Sequence, residues 1–278
     1  VASTDLTFHI PQEAEPDKLI PLLEAMYLNE ITFSTVKALL EFAQAKGLGT
    51  RTEIHSFANA CGILMKSDDS CIGLSKAGKA IAQLKSDIRP DLVHYLIYTG
   101  WRLDDPSQNS LLWSYREVTN AFWEKPSVNV VQEANVIAEE IRNRSQEIFS
   151  GVPGYDSSKV SFSPKSVRGV RKWLEALTPP VIENDVFFRR YFCQPELTLL
   201  AIGWVAQTMG GEVGIDFLLT SERREAICRL CLLDASALDK TLDWMLTLYP
   251  DVIEPGTSAG VYGRFLHFLK WPEMEDLL

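Results

Sequence analysis

No apolar run in this chain is long enough to cross a bilayer. The longest, residues 197–206, covers about half the span that a transmembrane helix needs. The N-terminal stretch also lacks the basic segment and hydrophobic block of an export leader. Cysteine is scarce, with five residues at 61, 71, 193, 228 and 231. An odd, scattered set fits reduced and buried thiols better than a secreted disulfide frame, so a cytoplasmic location without membrane contact or an obligatory disulfide is expected. The chain starts at Val1 rather than at methionine, which leaves room for a preceding segment.

Signatures of chemistry are missing as well. His9, His55, His94 and His267 lie far apart, with no metal-ligand spacing among them. Cys228 and Cys231 make one Cys-x-x-Cys pair and no second pair completes a zinc site. Helical spacing places both on one face beside Ile227 and Leu232, the pattern of core residues. None of the 13 lysines has Asp or Glu two positions before it, which removes the magnesium-holding arrangement of restriction-type nucleases, and no Gly-x-Ser-x-Gly elbow occurs. Residues 73–80 match a phosphate-binding loop at both glycines and at Lys79, yet Ala80 stands where the magnesium-binding Ser or Thr belongs. No cofactor, metal or catalytic centre is therefore expected.

What is present is material for cores: 278 residues, 46% of them hydrophobic, enough for two compact domains. Helical periodicity predicts helices over 18–28, 33–45 and 50–63, with Gly47 and Gly49 at a helix end and Thr50 spaced three residues from Glu53 as in a capping box. Short apolar runs at 63–66 and 71–74 flank Ser67-Asp68-Asp69-Ser70 and predict a β-hairpin, after which 75–84 resumes helical spacing. Helices are predicted over 91–101, 107–123 and 128–149, broken at Asp104-Asp105-Pro106 and Lys125-Pro126. The glycine- and proline-bearing stretch 151–158 reads as a boundary. Ser163-Pro164 then starts a helix through Trp173 and Leu177, followed by a strand around 185–192. Further helices are predicted over 194–209 and 221–232. A third, capped by Asp234 or Ser236, carries Leu238, Leu242, Met245 and Leu246, and a strand-turn-strand signal covers 252–266.

Three helices, a hairpin and a closing helix in that order resemble the winged-helix form of the helix-turn-helix. Residues 73–80 look like the end of the wing and the start of the following helix in many prokaryotic winged-helix proteins, and the set 194–266 resembles a second unit. The expected fold is mainly α with small β-hairpin wings, with tandem winged-helix units joined by a helical connector: 1–89, 90–158 and 159–278.

Charge narrows the functional classes. A net charge of -10 disfavours indiscriminate nucleic-acid binding, which needs concentrated Lys and Arg. Residues 151–192 form the one positive block, with seven basic and four acidic side chains. There Lys159, Lys165, Arg168, Arg171 and Lys172 follow one another with no acid between Ser157 and Leu174. Positions 165, 168 and 172 share a helical face near an N-terminus bearing Ser163 and Ser166, an arrangement suited to several phosphates at once. The alternative is a solvated basic face that pairs with the acidic remainder. A second candidate surface is the helix that the winged-helix resemblance makes the reading helix. Its Arg51, Thr52, His55, Ser56 and Asn59 have the chemistry of base-edge readout, with Lys66 and Lys76 placed to reach the backbone, against the opposing charge of Glu53 and Asp68-Asp69. Residues 193–278 carry six basic and thirteen acidic side chains, and Asp239, Lys240 and Asp243 sit on the corresponding helix. That unit is expected to meet a protein partner or a second copy of the chain.

The resemblance thus implies a regulator or accessory subunit that binds double-stranded DNA, compatible with a genome-defence or mobile-element system as well as with ordinary transcriptional control. The alternative is a scaffold: acidic tandem winged-helix proteins resemble the subunits that embrace the linker chains of chromosome-organising ATPases, where wings serve as protein interfaces.

Overall fold

A computed structural model of the chain describes residues 6–49, 51–67, 69–102, 109–125, 127–256 and 263–278, without the side chain of Lys159. The described residues are mainly helical, with small antiparallel sheets. They divide into two compact units, Val1–Phe188 and Arg189–Leu278.

The first unit opens with α1 (Pro16–Leu28), which has proline at its first turn and buries Leu19, Leu22, Leu23 and Met26. Helix α2 (Val36–Ala45) starts later than its periodicity predicts, because the Thr35 side chain accepts from the Ala38 amide at 3.1 Å and fixes the N-terminus there. Phe33, freed from the helix, forms an antiparallel bridge with Ile72. Helix α3 (Thr52–Ala60) has Arg51 at its N-cap with no side-chain cap. The capping-box residue Thr50 and the hairpin-tip residue Asp68 fall outside the described residues. Strands β1 (Leu64–Lys66) and β2 (Ile72–Leu74) pair antiparallel with Leu64 opposite Leu74. With the Phe33 bridge the lateral order is Phe33, β2, β1. Ser75 caps α4 (Lys76–Gln83), its hydroxyl accepting from the Gly78 amide and donating to the Gly62 carbonyl. A Cβ on Gly78 would stand 2.4 Å from the Ile63 carbonyl oxygen. The glycine that resembles part of a phosphate-binding loop is thus demanded by the approach of α4 to the strand.

Helices α5 (Arg89–Thr99), α6 (Ser110–Glu124), α7 (Ala134–Phe149) and α8 (Pro164–Glu175) complete the unit. The composition-based boundary at 151–158 lies inside it, because α8 packs on α7 and sends the fully buried Trp173 into the core. Of the segment expected as one strand around 185–192, Val186–Phe187 forms strand β4, paired in a tight hairpin with β3 (Ile182–Glu183). Asn184 and Asp185, both left-handed at φ 51 and 66, form its two-residue turn.

An N-terminal strap ties these helices together. Phe8 is buried edge-on to Trp113 and Phe149, and Ile10 and Ala14 are buried as well. Ser110 donates to the Thr7 carbonyl, and His9 Nδ1 lies 2.9 Å from Ser166 Oγ. Trp173 Nε1 donates to the Ala14 carbonyl at 2.9 Å, while its ring stacks on Phe57 of α3 at 5.5 Å. Gly169 lets the strap approach, since a Cβ there would meet the Ile10 carbonyl oxygen at 2.9 Å.

The second unit contains α9 (Pro195–Thr208), β5 (Asp216–Leu218), α10 (Ser221–Cys231), α11 (Leu238–Leu248), β6 (Ile253–Pro255) and β7 (Phe265–Phe268). Its sheet order is β5-β7-β6, antiparallel throughout. Strand β5 has no counterpart in the periodicity, and β7 begins later than the apolar run at 261–266; residues 257–262 lie outside the described set. Taken in chain order, residues 16–74 of the first unit and 195–268 of the second both run helix, extended segment, two helices and two strands, with the last strand of each between the other two extended pieces.

Two substitutions test this packing. Gly169→Ala forces a methyl group against the strap and should lower stability by about 1–3 kcal/mol. Trp173→Ala removes a fully buried ring and should cost about 3–5 kcal/mol. Both are read by denaturant unfolding, and midpoints equal to wild type would show that the strap and α8 are not packed as described.

Candidate nucleic-acid interface

Of the reading-helix candidates, Arg51, Thr52, Ser56 and Asn59 are exposed and His55 is half-buried. Arg51 lies 3.7 Å from the Glu13 carboxylate in an exposed ion pair, a contact worth roughly 0.2–1 kcal/mol. Thr52 and Ser56 are exposed, and the Ser56 hydroxyl donates back to the Thr52 carbonyl. Both line a cleft of about 590 Å³ whose opposite wall includes Thr7, His9 and Ser110, with Glu53 among its lining residues. His55 is half-buried; burial first, and then the charge of Lys66, hold its imidazole below the ordinary value, so it is neutral near pH 7. Asn59, Lys66 and Lys76 are exposed on α3, β1 and α4.

Helix α8 splits its cations into two pairs. Lys165 and Arg168 are exposed, with no carboxylate within ion-pair distance among the described residues. Arg171 is held by Glu175 at 2.6 Å and by Asp185 of the β3–β4 turn at 2.5 Å. Lys172 donates to Glu15 and, at 3.2 Å, to the Gln12 carbonyl. Lys172 first, and Lys18 after it, hold the Glu15 carboxyl below its ordinary value despite partial burial. Of these cations, Arg171 and Lys172 are thus paired with the protein's own carboxylates, the alternative that the sequence left open for this face. The local stretch is free of acids, but carboxylates arrive from positions 15, 175 and 185. Ser166 is fully buried and bound to His9, so its hydroxyl does not serve the helix N-terminus. Lys159 belongs to a short 3-10 turn, and its side chain lies outside the described residues.

The second unit offers a different surface. On α11, Leu238, Leu242, Met245 and Leu246 are buried, while Trp244 and Leu248 are 44% and 49% exposed. Trp244 packs on Phe192 with ring centroids 5.1 Å apart, and neighbouring Tyr191 is 74% exposed. Asp239 is clamped by Arg224 at 2.7 Å and Asp243 by Arg264 at 2.7 Å. Arg224, with Arg264 as a lesser cause, lowers the Asp239 carboxyl. The acids of α11 stand out in the sequence, whereas this apolar edge does not; its signal is two large side chains outside the core-facing set.

The protein-family models, curated proteins and solved structures with which the chain was compared contain no match to it. Among the described residues no three His, Cys, Asp or Glu side chains gather as metal ligands, and no helix is long and apolar enough to cross a membrane. Cys61, Cys193, Cys228 and Cys231 are buried and Cys71 is partly exposed. Burial pushes the Cys228 thiol up to about 12 and raises those of Cys61 and Cys231 as well. An aromatic disulfide reagent should therefore titrate one fast thiol in the folded protein, absent from Cys71→Ser, with the other four appearing on denaturation. Several fast thiols in the native state would contradict this burial.

Proposed function

We propose that the chain is a DNA-binding accessory or regulatory subunit built from two winged helices, the first resting on duplex DNA and the second docking protein. The winged-helix assignment is supported by the connectivity the two units share, in which the last strand lies between the other two extended segments. The observation that carries the DNA reading is the exposed pair Lys165 and Arg168, one turn apart on α8 and free of carboxylates among the described residues. Asn59, Lys66 and Lys76 supply the additional contacts from the first winged helix. The cations meet phosphates and steer association, so binding is salt-sensitive and mainly backbone-directed.

A protein-scaffold reading draws on one specific observation, the Trp244–Leu248 edge of α11 beside Phe192 and Tyr191. Exposed aromatic residues on an otherwise acidic unit suit a protein surface. In this second reading both units bind protein, and duplex DNA is not a ligand.

Fluorescence titration of a labelled mixed-sequence duplex across KCl concentrations separates the two. Lys165→Ala/Arg168→Ala should weaken binding and flatten the slope of log K against log salt by about 1.8, close to 0.9 for each phosphate that is no longer neutralised. Arg171→Ala should change the slope little, because its guanidinium is already occupied. Absence of salt-dependent binding by the wild-type chain would remove the DNA reading and leave the scaffold.

A further inference from the structure

The N-terminal strap brings two acids to the edge of the cationic surface. Its backbone is locked into the core by Phe8, Ile10 and Ala14, all nearly inaccessible to solvent. Between and beyond those anchors, Glu13 and Glu15 meet cations on three different helices. Glu13 reaches Arg51, the N-cap of α3, at 3.7 Å. Glu15 reaches Lys172 on α8 and Lys18 on α1, the latter at 3.1 Å. Gln12 joins the same junction, donating to the Lys165 carbonyl and accepting from Lys172.

Other acids near Lys172 are placed differently. Asp17 and Glu175 line the shallow depression around it, but Glu175 is engaged by Arg171, and Glu15 is the carboxylate that forms the ion pair with Lys172 among the described residues. Arg51 and Lys172 were both expected to serve DNA, and each carries a strap carboxylate where a phosphate oxygen would stand.

We propose that Glu13 and Glu15 are a built-in carboxylate brake on this face, competing with nucleic-acid phosphates for Arg51 and Lys172. This rests on the DNA reading given above. A carboxylate and a phosphodiester both present a pair of anionic oxygen acceptors to guanidinium and ammonium groups. The strap does not leave the core: a phosphate displaces a side chain, not the chain. The brake therefore sets how many cations are available, lowering affinity and the number of counterions released, while Lys165 and Arg168 make the first contact.

The test uses the full chain, a labelled mixed-sequence duplex and a KCl series with Glu13→Gln, Glu15→Gln and the double variant, thermal melting serving as the folding control. The double variant should bind about tenfold tighter, and its salt slope should steepen by about 1.8, the increment for two further neutralised phosphates. Glu15→Gln in a Lys18→Ala/Lys172→Ala background should gain nothing in slope, which separates release of Glu15's own partners from a general loss of negative charge. Wild-type DNA binding with affinity and slope unchanged in every variant would overturn the brake and leave the DNA reading intact. Failure of all forms to bind even at low salt would overturn both. Should the Glu15 variants melt early, Glu13→Gln decides alone, because that pair is exposed: a slope steeper by about 0.9 supports the brake and an unchanged slope overturns it.

Discussion

The first unit is organised around the indole of Trp173. Its ring lies against Phe57, which fixes α3 to α8, and its N–H is satisfied by the Ala14 carbonyl, which fixes the strap to both. A buried indole of this size contributes some 150–250 Å² of burial, and leaving its N–H unpaired would cost about 1–3 kcal/mol. The strap is thus the hydrogen-bond partner that makes full burial of the ring tolerable. Gly169, one turn before Trp173 on α8, has the room for that partner to come close. The surface chemistry follows from this junction: elements far apart in sequence, carrying Glu13, Arg51 and Lys172, are held at one place because the core beneath them is shared.

Much of the helical framework was legible in the chain because amphipathic helices announce themselves through apolar spacing, whereas the cap at Thr35, which sets the true start of α2, was not read from it. The 64–74 hairpin was legible through its turn-forming tetrad. Phe33 and β5 were not, since one to three extended residues cannot establish a twofold alternation, and their strand character comes only from partners at Ile72 and at residues 265–267. The charged surface was the least legible. A run without acids looks uncompensated in a linear count, yet Lys172 meets Glu15 from 157 positions away. Exposure of Lys165 and Arg168 and occupation of Arg171 and Lys172 are equally compatible with the same helical wheel; only the paths of the strap and the β3–β4 turn distinguish them.

The corresponding helices of the two units solve the same packing problem with opposite outer surfaces. Both bury apolar positions against their own unit, but α3 turns Asn59 and the half-buried His55 outward, whereas α11 presents Trp244 and Leu248 alongside carboxylates already clamped by Arg224 and Arg264. Neutralised acids flanking an aromatic edge lose much of their desolvation penalty when covered, since their charges are compensated before any partner arrives. That is a favourable preparation for a protein contact and a poor one for a polyanion.

The proline at the end of β6 has a bearing on assembly. Strand β6 is an outer strand of its sheet, and the Gly256 amide donates inward to the Phe265 carbonyl. Antiparallel alternation then turns the nitrogen of Pro255 away from the sheet. A ring nitrogen has no hydrogen to offer there, so an incoming backbone would find a missing rung on that margin. Runaway zippering of copies along this margin is discouraged by one imino acid, and self-recognition there is left to side chains.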